Sequence, residues 1–413
     1  MTVRNEGKPA EAGGATAHSA HGAISRRGLL ALAGAAGVAA CTPTTSGGPA
    51  FPNPGTLPVP TGPAVTGETL GTGSVRVALL LPKSGQGNGP ALASAMQNAA
   101  SLGLNDFTAN DLTILVKDSG GTAGTASAAA QAAISEGAEL IIGPVFAAEV
   151  GGVGPVARAA NVPVVAFSSD PSVAASGVYL LGFLIDGQAQ RVLAQAASAG
   201  KRSVAGIIST SAFGNLAEAA LRQAAGRYGL RLAQVERFNP GDQAKAVAAV
   251  AANSSQIDCL FVPEGPGIAP QIAQALRAQN VDLGRVKLLG TGVWNDPSVY
   301  GDATLAGGWF PSPEISGFAN FAGRYRSSFG AEPPLTASLA YDAVVLAAGL
   351  VKTAGAQRFQ LSVLTNPQGF LSSVNGLFRF NANGTNDRGL AVYEVTGSSP
   401  SLVSPAPRAF TGA

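Results

Sequence analysis

Histidine is nearly missing from this chain. Its 413 residues hold two, His18 and His21, both within the first forty positions. From residue 41 onward no Ser-His-Asp triad, Cys-His pair or His-ligated metal can be assembled. Cysteine is as scarce, with only Cys41 and Cys259. Once Cys41 is set aside (below), Cys259 has no partner for an intramolecular disulfide, and its apolar surroundings mark it as core. Charge is low, at 12% of residues. Without Arg4, Lys8, Arg26, Arg27, Glu6 and Glu11 of the leader, twenty-two basic and twenty-two acidic residues remain. A net charge of zero offers no footprint for nucleic acid. Long apolar runs are absent too: Leu29 to Ala40 falls short of the ~20 residues that span a bilayer, and no later stretch is expected to cross one. What the chain has is 46% apolar residues and 54 glycines, enough for a large core with close packing. At roughly 100–200 residues per domain, two domains are expected.

The first forty residues read as an export signal and stand outside fold reasoning. Ser25-Arg26-Arg27-Gly28-Leu29-Leu30 places two arginines before the short apolar run, which resembles a twin-arginine signal. The run ends Val38-Ala39-Ala40-Cys41, which resembles a bacterial lipobox with Cys41 as the lipidated first residue. Thr42, not Asp, follows it, which tilts the anchor toward an outer membrane. Residues 41–73 are rich in Pro, Gly and Thr and read as a tether.

From Val75 the pattern is α/β. The run Val75 to Leu81 is continuous and apolar, as in a strand covered on both faces. The Gly-rich turn Pro82 to Pro90 then brings Ser84, Gly85 and backbone N–H groups to the carboxyl edge of a sheet, where open α/β folds bind ligands. Further strands are expected at 112–116, 138–142 and 163–167, each followed by a helix, and the alternation restarts at Ser203 with strands at 203–209, 230–238, 259–263 and 286–290. Two such series make two Rossmann-like lobes with parallel sheets and a cleft between them. Late in the chain, 376–381 and 390–394 read as two strands joined by the Asn383-Gly384 turn.

Several segments, in this order, are similar to the type I periplasmic binding proteins of the leucine/isoleucine/valine-binding branch. They are VALLLPKSGQGNGPAL, VKDSGG, AELIIGPVFA, VPVVAFSSDPS, LAYDAVVLAAGL and GLFRFNANGTNDRGLAVYEV. The first also resembles penicillin-binding-protein activator lipoproteins of the same fold. The resemblance implies lobes joined by a three-crossover hinge, near Leu180 to Ile185, near Trp309 to Pro313 and after Leu364. That divides the chain into lobe 1 (74–184 plus 311–364), lobe 2 (185–310 plus 365–396) and a tail (397–413). The family's amino-acid pocket carries over unevenly. Its hydroxyl donor after the fourth strand is matched by Ser168 and Ser169. Its second Ser or Thr is replaced by Phe146, Ala147 and Ala148, and its acid by Thr291-Gly292-Val293-Trp294. A buried ammonium or carboxylate left without partners costs several kcal/mol, which disfavours a free amino acid. Phe146, Phe213 and Trp294 are instead expected to line the cleft, with Glu264 its best remaining carboxylate. Tyr341 and Asp342 are expected to fix the hinge region, away from the ligand.

Other motifs carry less. Gly85, Gly87 and Gly89 suggest a dinucleotide loop, but the third fingerprint glycine falls on Pro90. Ser198-Ala199-Gly200-Lys201 spells S-x-x-K, yet the serine ends a helix and no K-T-G strand follows. No enzyme and no cofactor are implied. The expectation is a monomeric, lipid-anchored solute-binding protein of the periplasm. It closes on an amino acid or related small polar ligand and delivers it to an ABC transporter permease. The alternative is an activator-like lipoprotein that contacts a cell-wall synthase without a small ligand. In either case the membrane is met through the lipid alone, with no nucleic-acid partner.

Overall fold

In the computed structural model, residues 63–107, 111–239 and 241–410 are described, all within one compact unit. The export signal, Cys41 and most of the tether lie outside them. The first lobe is built from β1 (Thr69–Leu70), β2 (Val75–Leu81), α1 (Gly89–Asp106), β3 (Leu112–Asp118), α2 (Ala123–Ser135), β4 (Leu140–Ile142), α3 (Ala147–Ala159), β5 (Val164–Ala166) and β6 (Val178–Leu180). Its sheet runs β1-β3-β2-β4-β5-β6, parallel except for β1 at the edge. The second lobe follows with α4 (Ile185–Ser198), β7 (Ser203–Ser209), α5 (Ala212–Arg227), β8 (Arg231–Phe238), α6 (Ala244–Ala252), β9 (Cys259–Phe261), α7 (Ala269–Ala278), β10 (Lys287–Leu289), α8 (Pro297–Tyr300) and β11 (Trp309–Ser312). The two central strands show why continuous apolar runs were needed. In β2, Val77, Leu79 and Leu81 face one core while Ala78 and Leu80 face another. In β7, Ala205 and Ile207 face one side, Val204 and Ile208 the other. Strands wrapped by helices on both faces have no solvent side for polar residues.

After β11 the chain returns to the first lobe as α9 (Ile315–Phe329), α10 (Ala337–Ala354) and α11 (Leu361–Leu364). By length and composition 337–357 could cross a membrane, contrary to the expectation of no such stretch beyond the leader. Its apolarity has a local cause: Leu339, Ala340, Ala343, Val344 and Ala347 are buried in the first lobe's core beside α1 and β2. The following hairpins, β12 (Phe370–Ser372), β13 (Gly376–Phe380) and β14 (Asn386–Arg388), form a separate three-stranded sheet.

This last sheet corrects the expected boundaries. Residues 365–388 pack on the first lobe: Phe378 and Phe380 join its core, and Phe380 lies 5.3 Å from Tyr179, ring to ring. The Asn383-Gly384 turn joins β13 to β14, not to the strand at 391. Gly384 has φ +88°, and a Cβ there would lie 2.2 Å from the Val178 carbonyl oxygen; its own carbonyl accepts the Leu180 N–H at 2.8 Å. Only glycine fits that approach. The third crossing therefore falls at 389–390, after which β15 (Ala391–Val395) pairs antiparallel with β11, and β16 (Pro400–Ser404), expected as tail, pairs with β15. The second sheet is thus β16-β15-β11-β10-β9-β7-β8.

Candidate binding cleft

A cavity of about 570 Å³ lies where the carboxyl edges of the two sheets meet the crossings. The first lobe supplies Val145 to Ala147 after β4 and Phe167 to Asp170 after β5. The crossings supply Phe183, Leu184, Gly187, Gln188 and Pro311 to Pro313, and the second lobe supplies Phe213, Gly292 and Val293. Leu335, Thr336 and Leu339 of the α10 entry, with Asn386, Arg388 and Leu390, complete the wall.

Of the residues expected from sequence, Phe146, Ala147, Ser168, Ser169 and Phe213 meet in this cavity. Phe146 and Phe213 are each 39% exposed. Local hydrogen bonds fix their loops. The Phe146 N–H donates to Glu149 at 3.0 Å, and the other carboxylate oxygen of Glu149 takes the Gly121 N–H at 2.9 Å. Ser211 caps α5, its hydroxyl accepting from the Gly214 N–H at 3.0 Å, which places Phe213 in the first turn. The Ser168 hydroxyl accepts the Asp170 N–H at 3.1 Å and keeps its own proton to donate.

Four expected residues stand elsewhere. Ser84 turns toward the neighbouring strand end, where its N–H donates to Asp118 at 3.1 Å. Burial pushes the Asp118 carboxyl up, but donations from Ser84, Gly120 and Lys83 outweigh it and hold the group below its usual range. Gly85 is buried against Pro82 and Gly121. Trp294 is fully buried in the second lobe's core. Its ring fills a slot walled by Gly290 and Gly308, and its indole N–H donates to the Glu264 carbonyl at 2.9 Å. Glu264 is likewise buried, its carboxylate taking the Ser209 N–H at 2.8 Å. Both serve to lock the ends of β7, β9 and β10 together. The residues beside them that reach the cavity are Gly292 and Val293.

Two lining groups were not anticipated. Gln188 is a clamp: its Oε1 accepts the Gly292 N–H at 2.6 Å and its Nε2 donates to the Phe183 carbonyl at 3.0 Å. Arg388 brings a positive charge. Burial lowers its pKa to about 10, against a restoring pull from Asp342. Asp342, buried in α10, is pushed up to about 6 by burial despite donations from Ser372 and Asn375. It ties α10 to the hairpin sheet at Ser372 and Asn375, and the Tyr341 hydroxyl donates to Asp106 at 2.7 Å, so both act within the first lobe and not at the hinge where they were expected. No cluster of three or more metal-ligating side chains occurs among the described residues.

No curated protein sequence matches the chain. Solved structures do. A protein from Rhodospirillum rubrum, assigned to a branched-chain amino acid ABC transporter, superposes with a TM-score of 0.72 at 20% identity, covering 80% of this chain and 99% of its own. A leucine-binding protein of Thermotoga maritima gives 0.57 at 20%, covering 80% and 98%. A solute-binding protein of an R. palustris ABC transporter, solved with benzoate, gives 0.59 at 18%, covering 82% and 98%. At these identities the likeness establishes the fold. The family model for periplasmic binding proteins matches residues 74–399, a family of non-enzymatic transport components that work outside the cytoplasm. Two parallel-sheet lobes, three crossings with a cavity between them and a match over that span make this chain a member of the periplasmic binding protein family.

Proposed function

We propose that the protein is the solute receptor of an ABC transporter, binding a small molecule with an apolar body between its lobes and presenting the closed form to the permease. The cavity carries this reading. It has the volume of a small-molecule site, gathers residues from both lobes and all three crossings, and keeps Phe146 and Phe213 open. Ser168 and Ser169 serve as polar contacts at its rim. Ligand contacts made to both lobes at once favour the closed state over the open one, which is how occupancy becomes a signal. Export through the Arg26-Arg27 signal and lipidation at Cys41 would tether a monomeric receptor to the membrane by residues 41–73.

The test is a thermal-shift screen of the purified protein against amino acids, aliphatic and aromatic acids, amides and short peptides. A shift of several degrees with a small solute is expected. If no solute of any class shifts the transition and a cell-wall synthase is captured instead, the activator-like reading replaces this one. The missing hydroxyl and acid at Phe146–Ala148 and Thr291–Trp294 are what favour that second reading.

A further inference from the structure

Arg388 is placed with care and then left unsatisfied. Strand β14 is stitched to the first crossing: Asn386 donates to the carbonyls of Leu180 at 2.6 Å and Gly182 at 2.9 Å, and the Arg388 Nη2 donates to that of Leu181. The guanidinium is sandwiched between aromatic rings, its carbon 4.8 Å from the Phe183 centroid and 5.5 Å from that of Phe378. Its Nε and Nη1 are shielded from water and have no hydrogen-bond partner. It takes part in none of the ion pairs among the described residues. Asp342 does not fill the gap, since its oxygens accept from Ser372 and from Asn375 at 2.8 Å. A second orphan lines the same cavity: the Ser312 hydroxyl, on a residue 1% exposed, also lacks a partner. Ser312 stands opposite Ala391 in the β11–β15 pairing, three residues beyond Arg388.

Buried donors are ordinarily paired, and a guanidinium fork fits a carboxylate through two parallel hydrogen bonds. We propose that the cleft's ligand is an organic monocarboxylate with an apolar body and no ammonium group, its carboxylate held by Arg388 and Ser312. This rests on the solute-receptor reading and narrows it to one chemical class. The acid side of the cavity agrees. Besides Arg388 the only charged lining residue is Asp170, and its Oδ1 caps the turn at 171–173 by accepting the Ser172 N–H at 2.9 Å. The aromatic and aliphatic wall formed by Phe146, Phe213 and Val293 takes the rest of the molecule. Because the free nitrogens are shielded, docking is accompanied by a shift of Phe183, which lines the cavity and lies over the guanidinium.

Calorimetric titration of the purified protein with matched probes tests this. One set is 4-methylpentanoate, 4-methylpentanamide, leucine and isopentylamine; the other is 3-phenylpropanoate, its amide, phenylalanine and phenethylamine. In at least one set the acid should bind about 30-fold or more tightly than the amide, the difference expected for a charged hydrogen-bonded pair. The amino acid should be weaker than the acid, and the amine silent. Arg388→Gln should erase the preference for acid over amide. Ser312→Ala should cost the acid about fivefold, within the range of a single hydrogen bond. Equal binding of acid and amide, or tighter binding of the amino acid, overturns the proposal, and the wild-type series decides this even if Arg388→Gln fails to fold. If neither acid binds but another class of solute does, the carboxylate assignment falls and the receptor reading stands. If no solute of any class binds, both fall.

Discussion

Trp294 offers the sharpest check on the packing described here, because sequence reasoning and structure give it different jobs. Its ring lies so close to Gly290 that an added Cβ would sit 2.1 Å from Cδ2, and one at Gly308 would sit 2.8 Å from Cζ3. Trp294→Ala should destabilise the second lobe by about 4 kcal/mol, within the usual cost of emptying a core aromatic site. Gly290→Ala alone should cost about 2 kcal/mol through overpacking. In the double variant the new methyl points into the vacated slot, so its cost should nearly vanish, leaving a coupling energy of about 2 kcal/mol. Urea unfolding followed by far-ultraviolet circular dichroism on the four proteins measures it. Simple additivity would show that the ring does not hold residue 290 small. Trp294→Phe adds a functional arm: it removes the indole N–H to the Glu264 carbonyl and leaves part of the buried slot empty, together worth about 2–3 kcal/mol, and should leave ligand affinity within about threefold. Loss of binding with stability intact would return Trp294 to the cleft and refute the reasoning.

Three further outcomes follow from the same geometry. Phe146→Ala and Phe213→Ala should each weaken the cleft ligand about tenfold by removing apolar contact, while shifting stability by less than about 1 kcal/mol because the rings are already partly exposed; calorimetry with parallel melting curves separates the two effects. The Asp342 carboxyl is raised to about 6, so its proton favours the folded state, and that contribution, full below the unfolded value, is lost as pH rises through 6. Relative to wild type, Asp342→Asn should gain about 1 kcal/mol of stability between pH 5 and pH 7; parallel pH profiles would contradict the assignment. Cys259 is buried and its thiol is pushed up to about 12 by burial, so in a Cys41→Ser chain a thiol reagent should find nothing in the native protein at pH 8 and one group after unfolding.

The lobes were legible because strands covered on both faces leave a strong mark: β2, β7 and β9 are apolar runs, interrupted only by Arg76 in β2, and ended by glycine, proline or serine. The path of the chain after residue 364 was not. Asn383-Gly384 marks a hairpin turn well enough, but which lobe the hairpin joins depends on Tyr179 and Val178, two hundred residues earlier. The site was half legible. Loops after β4 and β5 and the first turn of α5 sit at sheet edges by topology alone, so Phe146, Ser168 and Phe213 could be placed. Trp294 and Glu264 could not, because only packing reveals that the indole closes a slot between two glycines. Arg388 carries no local signal at all: its role comes from pairing opposite Phe378 across the hairpin and from Phe183, about two hundred residues earlier.

The central claim is that a small solute binds between the lobes, and a crystal structure of the purified protein grown with the tightest solute from the screen tests it most directly. The molecule should lie inside the 570 Å³ cavity, touching Phe146 from one lobe and Phe213 or Val293 from the other, with a carboxylate on Arg388. A solute seated only on an outer surface, or an empty cleft at saturating concentration, would contradict it.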